Sequence, residues 1–319
     1  MTTVGGQRHT QHMQSRERSG QVVQQARRFY DGGTLPRDGR PGEPADPGAD
    51  PRIVLERHSE EGVETFDLER RLAYLDRHLG ELLVPADPGF RTDLTSVPAL
   101  FTWLVPKTGA HLPAALLHDA LVEGRDDPTS YVSTEGHRVD RVAADRIFRD
   151  AMADTGTGVI RRWMVWAAVT VATIFVGRQV PWSQARHWSY RLAAAATILA
   201  IVYLGYSATA DLLDRSWVGA VDLPWMGERP WWAELGGGLA GAVVVPLALS
   251  LLWGRLRTAG AIAGVMLAVL FHVTVVLALI GSTYLALERL ARRSPPAAWV
   301  LAGVIVVASL VVFAMLSLA

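Results

Sequence analysis

Along this 319-residue chain the rhythm of apolar and polar positions changes twice, and each change marks a different kind of structure. From Met1 to about Asp50 no apolar run is sustained, and Gln, Gly, Arg and Pro dominate. Such a stretch buries too little surface to offset the entropy of ordering, so a disordered tail is expected over residues 1–50, with Gln21 to Tyr30 as its candidate short helix. From Arg52 the apolar positions fall into short β-type runs: Ile53–Glu56, Val63–Leu68, Arg70–Leu75 and Glu81–Val84. Asp76 to Gly80 supplies turn residues between the last two, and Pro85, lacking a ladder donor, ends the pairing. A small antiparallel sheet follows from this pattern. The period then becomes helical, with helices expected from Ser96 to about Leu104, from Pro113 to Glu123, over His137–Gly156 and over Val159–Val176. The fold class of residues 51–180 is therefore α+β, a small antiparallel sheet with about four helices.

The second change is to long uncharged runs. Leu192–Ala210, Leu235–Trp253, Ala259–Thr283 and Ala297–Ala319 contain no Asp, Glu, Lys or Arg. Each is close to the roughly twenty residues that cross a bilayer, so residues 181–319 are expected to form an all-α bundle of four membrane helices. Trp188, Trp217, Trp225, Trp231, Trp232, Trp253 and Trp299 fall at or between the ends, where aromatic belts sit. Trp163–Val176 is uncharged for fourteen residues only, which assigns it to the α+β domain, lying against the membrane; a fifth span is the alternative. His272 is read as mid-span: either a relay group or a neutral imidazole bonded to a neighbouring helix.

Composition narrows the functions. Half the residues are hydrophobic, and Lys+Arg and Asp+Glu both number 31, so no net field points to nucleic acid. With no cysteine, His and carboxylates are the strong metal ligands left. No apolar segment follows a basic start, as expected of a chain without a cleaved signal peptide. Arg178, Arg186, Arg191, Arg255 and Arg257 flank the first three spans and predict a cytoplasmic face there. The loop with Arg289, Arg292 and Arg293 then falls outside, against the rule, while the α+β domain is expected in the cytoplasm.

The chemistry is concentrated in Phe90–Val122, which holds Asp93, Thr95, Ser96, Lys107, His111, His118 and Asp119. His118 has Ala114, Ala115, Leu121 and Val122 at helical spacing, which predicts a buried imidazole; Asp119 lies at the edge of the buried side. In the following helix Arg141, Asp145, Phe148 and Met152 share one stripe, and a carboxylate there needs a partner. His118 paired with Asp145 is the expected answer, at about 2.6–3.2 Å, whether the pair is catalytic or only packs two helices. Ser96 is a helix N-cap or, alternatively, a nucleophile beside that pair. Asp93 is an Asx-turn residue or a metal ligand. Lys107 and His111 are expected in solvent.

The blocks VPADPGFRTDLTSVP, AALLHDALV and RVAADRIFRDAM, in this order, resemble the bacterial and phage family known as domain of unknown function 1353, over roughly residues 52–178. The resemblance implies a small α+β domain from phage-related gene sets, here in a bacterial inner membrane protein; it brings no established activity. A helix with adjacent His-Asp and a partner helix with Asp-x-x-Phe-x-x-x-Met is similar to the helix pair of calcium-dependent secreted phospholipases. That similarity implies His118 as general base, Asp145 as the group orienting it, and Asp119 on calcium, with Gly89, Asp93 or Gly109 standing in for the calcium loop.

Three readings follow. The chain is a membrane-tethered hydrolase of lipid or other esters, a non-catalytic phage-derived binding or assembly module on a membrane, or a small sensing or channel-like protein. The lipid bilayer is the expected partner in all three, and the membrane helices offer a surface for homo-oligomers.

Overall fold

The computed structural model describes residues 28–37, 39–60, 63–94, 109–122 and 128–318. The chain folds as two compact units, divided at Gly158. Among the described residues the first holds seven strands: β1 (Phe29–Asp31), β2 (Leu55–Glu60), β3 (Val63–Leu68), β4 (Leu72–Asp76), β5 (Gly80–Val84), β6 (Arg91–Thr92) and β7 (Val132–Ser133). They form two antiparallel sheets, ordered β1-β4-β5-β7 and β2-β3-β6. Two helices, α1 (Leu112–Leu121) and α2 (Arg141–Asp154), pack on each other and on the first sheet.

Pleating sorts the first sheet's side chains. Tyr30, Ala73 and Leu83 face one another across β1, β4 and β5 and form a cluster with Ala45 and Leu75. The alternate positions Phe29, Tyr74 and Leu82 belong to the opposite face, where Tyr74 and Leu82 are fully buried. The sequence reading of a disordered 1–50 differs here: Phe29–Asp31 pairs with Leu72–Tyr74, and Asp46 N donates to Asp31 O at 2.8 Å. Two aromatic residues and a β-type register outweigh the polar setting around them, and Phe29 and Tyr30 are strand rather than helix. The first predicted strand lies later than expected, at Leu55–Glu60 instead of 53–56, because it must pair in full with β3. Residues 1–27, the predicted helix from Ser96 to Leu104 and Lys107 lie outside the described residues.

The second unit is helical: α3 (Val159–Val176), α4 (Gln184–Leu212), α5 (Trp231–Ser250), a 3-10 turn (Leu251–Leu256), α6 (Arg257–Val269), α7 (Phe271–Arg293) and α8 (Pro295–Leu318). Four stretches among the described residues are long and apolar enough to cross a membrane: Val159–Val176, Gln184–Leu212, Trp231–Val269 and Phe271–Arg293. α3 is thus a candidate span and not an outlying helix of the α+β domain. The expected span 259–283 is two helices, broken at Leu270.

The 39-residue stretch from Trp231 to Val269 is too long to cross once at 1.5 Å per residue, and it bends back on itself. Gly254 makes the bend with φ 53° and ψ −117°, a conformation open to glycine alone. Trp253 packs beside it, and a Cβ on Gly264 would lie 2.9 Å from Pro246, so α6 runs back along α5. Two ends of the bundle are defined by contacts. At one, Ile174, Tyr190, Ala194, Trp253 and Leu256 cluster, while His187 and Arg191 donate to the Ile174 carbonyl at 2.7 and 3.0 Å. These donors cap carbonyls that α3 leaves unpaired at its C-terminus. At the other end α4 meets the 217–226 loop, where Asp211 Oδ2 accepts from Leu223 N at 2.9 Å and Ser207 Oγ from Val221 N at 3.2 Å.

Candidate functional site

α1 starts at His111 and Pro113 and buries Ala114, Ala115, Leu116, Leu117, His118, Ala120 and Leu121. α2 is started by Asp140, whose side chain accepts from Ala143 N at 2.8 Å, and buries Ala144, Asp145, Ile147, Phe148, Ala151 and Met152. Packing these faces brings His118 Nε2 to 2.9 Å from Asp145 Oδ1, with the two side chains 11% and 4% exposed. The Phe148 ring stacks on the imidazole at 4.6 Å and 22°. Arg141, one turn before Asp145, places Nε 3.9 Å from the same carboxylate oxygen. The pair thus forms at the distance that its two faces require. With Nε2–H donating to Asp145, the lone pair of His118 belongs to Nδ1.

The other predicted residues are less closely gathered. Asp119 and Asp93 are half-buried, and Ser96 lies outside the described residues, as does most of the segment between β6 and α1. His111 is buried at 3% exposure, not in solvent: it heads α1, and its ring lies about 3.5 Å from where a Cβ on Gly109 would stand. Among the described residues no three His, Asp or Glu side chains gather closely enough to hold a metal ion. Among the described residues Asp119 and Asp93 belong to no such group, and no chemical step is routed through calcium.

Three further ion-pair groups have no counterpart in the sequence reading. Asp76, read as a turn residue, does accept from His78 N and Leu79 N at 3.0 Å, but its fully buried carboxylate also takes both Nη atoms of Arg146 at 3.0 and 3.1 Å. Burial alone would raise its pKa; the Arg146 hydrogen bonds and the two backbone donors outweigh that and lower it. At the end of α2, Asp154 accepts from Tyr74 Oη at 2.9 Å and from both Nη atoms of Arg77 at 2.8 and 2.6 Å. In the second sheet, His58 Nε2 lies 3.2 Å from Asp67 Oδ2 and Arg91 Nε 3.5 Å from Asp67 Oδ1. His58 Nε2 is not aligned for a hydrogen bond, so this second His–Asp pair is an ion-pair contact at most. Sequence separations of 70 and 77 residues hide the Asp76 and Asp154 partners; the signal available was two acidic residues at the ends of apolar elements.

His272 is not mid-span. It is the second residue of α7, and its Nε2 lies 2.9 Å from Oγ1 of Thr209, in the last turn of α4. The imidazole bonded to a neighbouring helix is the reading that fits.

Residues 66–169 match the model of a family described as "Protein of unknown function (DUF1353)". No curated protein and no solved structure matches the chain, and the similarity to phospholipases finds no support among these comparisons. The stretch of the chain that is matched to DUF1353 begins inside β3, contains both helices of the His118–Asp145 pair, and continues into α3 as far as Val169.

Proposed function

We propose that this chain is a multi-pass membrane protein whose first unit is a hydrolase of ester-linked lipids, with His118 as general base and Asp145 as the residue that positions it. The observation that carries this reading is the buried 2.9 Å contact between two side chains supplied by separate helices. Asp145 fixes the imidazole in one tautomer, and Nδ1 can then take a proton from water as the water oxygen bonds to an ester carbonyl carbon. The same proton passes to the departing alkoxide when the C–O bond breaks. Lipid esters are the substrate class because only Thr155–Gly158 separates α2 from a helix long and apolar enough to span a bilayer.

The test uses the full chain in lipid nanodiscs, with phospholipid and short-chain ester hydrolysis as readouts. The expected result is turnover that falls about 10²–10⁴-fold in His118→Gln and less in Asp145→Asn, with melting of the protein little changed. No turnover by the unmodified chain refutes the hydrolase. If, in addition, His118→Gln lowers stability, the pair serves helix packing in a non-catalytic module.

Orientation rests on the arginines. Arg178, Arg186 and Arg191 stand at the Trp253 end of the bundle, as do Arg255 and Arg257. Because α6 and α7 are separate helices, α7 starts at the opposite end and, crossing, returns Arg289, Arg292 and Arg293 to the Trp253 end. All three clusters then share one face, which the charge rule makes cytoplasmic. With α3 counted as a span, residue 158 leaves the bilayer on the other side. The N-terminal unit is accordingly proposed outside the cytoplasm; the cytoplasmic expectation treated 159–176 as a helix that does not cross.

A further inference from the structure

The second unit contains a cavity of about 230 Å³ between α4, α5 and the α6–α7 junction, walled almost wholly by apolar side chains. It is elongated: Ile201 and Leu212 both line it, eleven positions apart on α4, or about 16 Å along a helix. Glycines make the room. Gly205, Gly238 and Gly241 line the walls, and a Cβ on Gly205 would stand 2.8 Å from Phe271, one on Gly241 2.7 Å from Trp225. The loop carrying Trp225 and the buried Met226 covers one end, held by Arg229, whose Nη1 donates to the Trp225 carbonyl at 3.1 Å.

The rim is apolar as well. Leu235 and Leu239 line the cavity and are 44% and 50% exposed, in a helix long and apolar enough to lie in a bilayer. An apolar cavity of this kind does not hold water. At its α7 end, however, it is lined by His272. Thr209 Oγ1 donates to the Gly205 carbonyl at 2.6 Å, so its lone pairs accept from His272 Nε2–H at 2.9 Å. This order of donors leaves His272 Nδ1 as an acceptor.

We infer that the cavity binds one acyl chain of a neutral amphiphile that ends in a hydroxyl group, the chain lying along α4 and the hydroxyl donating to His272 Nδ1. The volume is below the several hundred Å³ of a drug-sized site, which fits a single chain and excludes a bulky headgroup. This site is independent of His118.

The experiment uses the full chain in nanodiscs with two photoactivatable probes carrying a diazirine in the acyl chain, a monoacylglycerol and a phosphatidylcholine. The monoacylglycerol should label peptides containing residues 201–212 and 235–246. Labelling should fall about five-fold in His272→Phe, the loss of one hydrogen bond, and be abolished in Gly238→Leu, which fills the space. Melting of both variants, followed by tryptophan fluorescence, establishes that they fold; should Gly238→Leu fail to, Ala208→Leu serves in its place. Phosphatidylcholine, which lacks a hydroxyl, should label the exposed faces of α7 and α8 instead. Labelling that neither variant alters, or cavity labelling by phosphatidylcholine equal to that by monoacylglycerol, overturns the inference. So does crosslinking of the cavity to a second copy of the chain in place of the probe.

Discussion

Arg146→Met isolates the ion pair that joins α2 to the β4–β5 hairpin. In the folded protein the Asp76 carboxylate is fully buried, and Arg146, 25% exposed, donates two of its four hydrogen bonds. Met fills much of the arginine stem's volume but leaves a buried charge with backbone donors alone. Removing one partner of a buried pair costs about 3–5 kcal/mol, and partial exposure of Arg146 allows water to recover some of it, so a loss of about 3 kcal/mol is expected. Stability should be read as opening free energy from hydrogen exchange of β4, β5 and α2 peptides in the full chain. The expected loss corresponds to about 150-fold faster exchange at pH 7.

The pH dependence has a definite sign. Asp76 has its pKa lowered by folding, so its contribution is fully present above the unfolded carboxyl value near 3.9 and is lost as pH falls through the lower folded value. In Arg146→Met burial dominates and the folded pKa is expected to rise, so the variant is most penalised at neutral pH. The gap between the two proteins should therefore narrow on acidification. A double variant, Asp76→Asn with Arg146→Met, should recover part of the loss, because no charge is left buried. An opening free energy unchanged to within about 0.5 kcal/mol, or a gap that does not narrow in acid, refutes the assignment.

Three shorter predictions concern the helical unit. The chain has no cysteine, so single cysteines can report its faces: Ser183→Cys and Ser294→Cys should react with an impermeant maleimide only from the cytoplasmic side, Val218→Cys and Thr134→Cys only from the other. Gly254→Ala forces a side chain into φ 53°, and should cost about 1–2 kcal/mol, read as a lowered melting temperature in detergent. Trp253→Phe removes the buried 3.0 Å hydrogen bond from Nε1 to Thr197 Oγ1 and should cost about 1 kcal/mol in the same assay.

What the sequence made legible was what is local. The β3, β4 and β5 runs, the turn at Asp76–Gly80 and both helices of the first unit follow from period, proline and caps, and lie within a few residues of their predicted bounds. Asp145 could be matched to His118 because an acid on an apolar stripe has few possible answers. What stayed hidden was set by tertiary contact. Phe29–Asp31 is a strand only because β4 offers it a partner. The break at Leu270 lies inside a run without Asp, Glu, Lys or Arg, where His272, two positions on, is the one polar mark beside it; the contacts that accompany the break, Phe271 close to Gly205 and His272 bonded to Thr209, are tertiary. α3 was set aside on the length of its uncharged run alone, although Val159 and Ile160 extend the helix beyond the two arginines.

The way α2 is fastened bears on how the His118 site should be tested. Arg146 ties its first half to Asp76 in β4, and Asp154 ties its last turn to Tyr74 and Arg77, so the helix is held at both ends by contacts that do not involve His118. Asp145 lies one position before Arg146, and its backbone is therefore fixed whether or not the imidazole is present. A catalytic carboxylate benefits from being held in this way, since orientation is supplied before substrate arrives. His118→Gln is for this reason expected to leave exchange of the α2 amides almost unchanged while turnover falls. Arg146→Met is expected to do the reverse in order of cause, loosening α2 first and lowering turnover only as Asp145 loses its position.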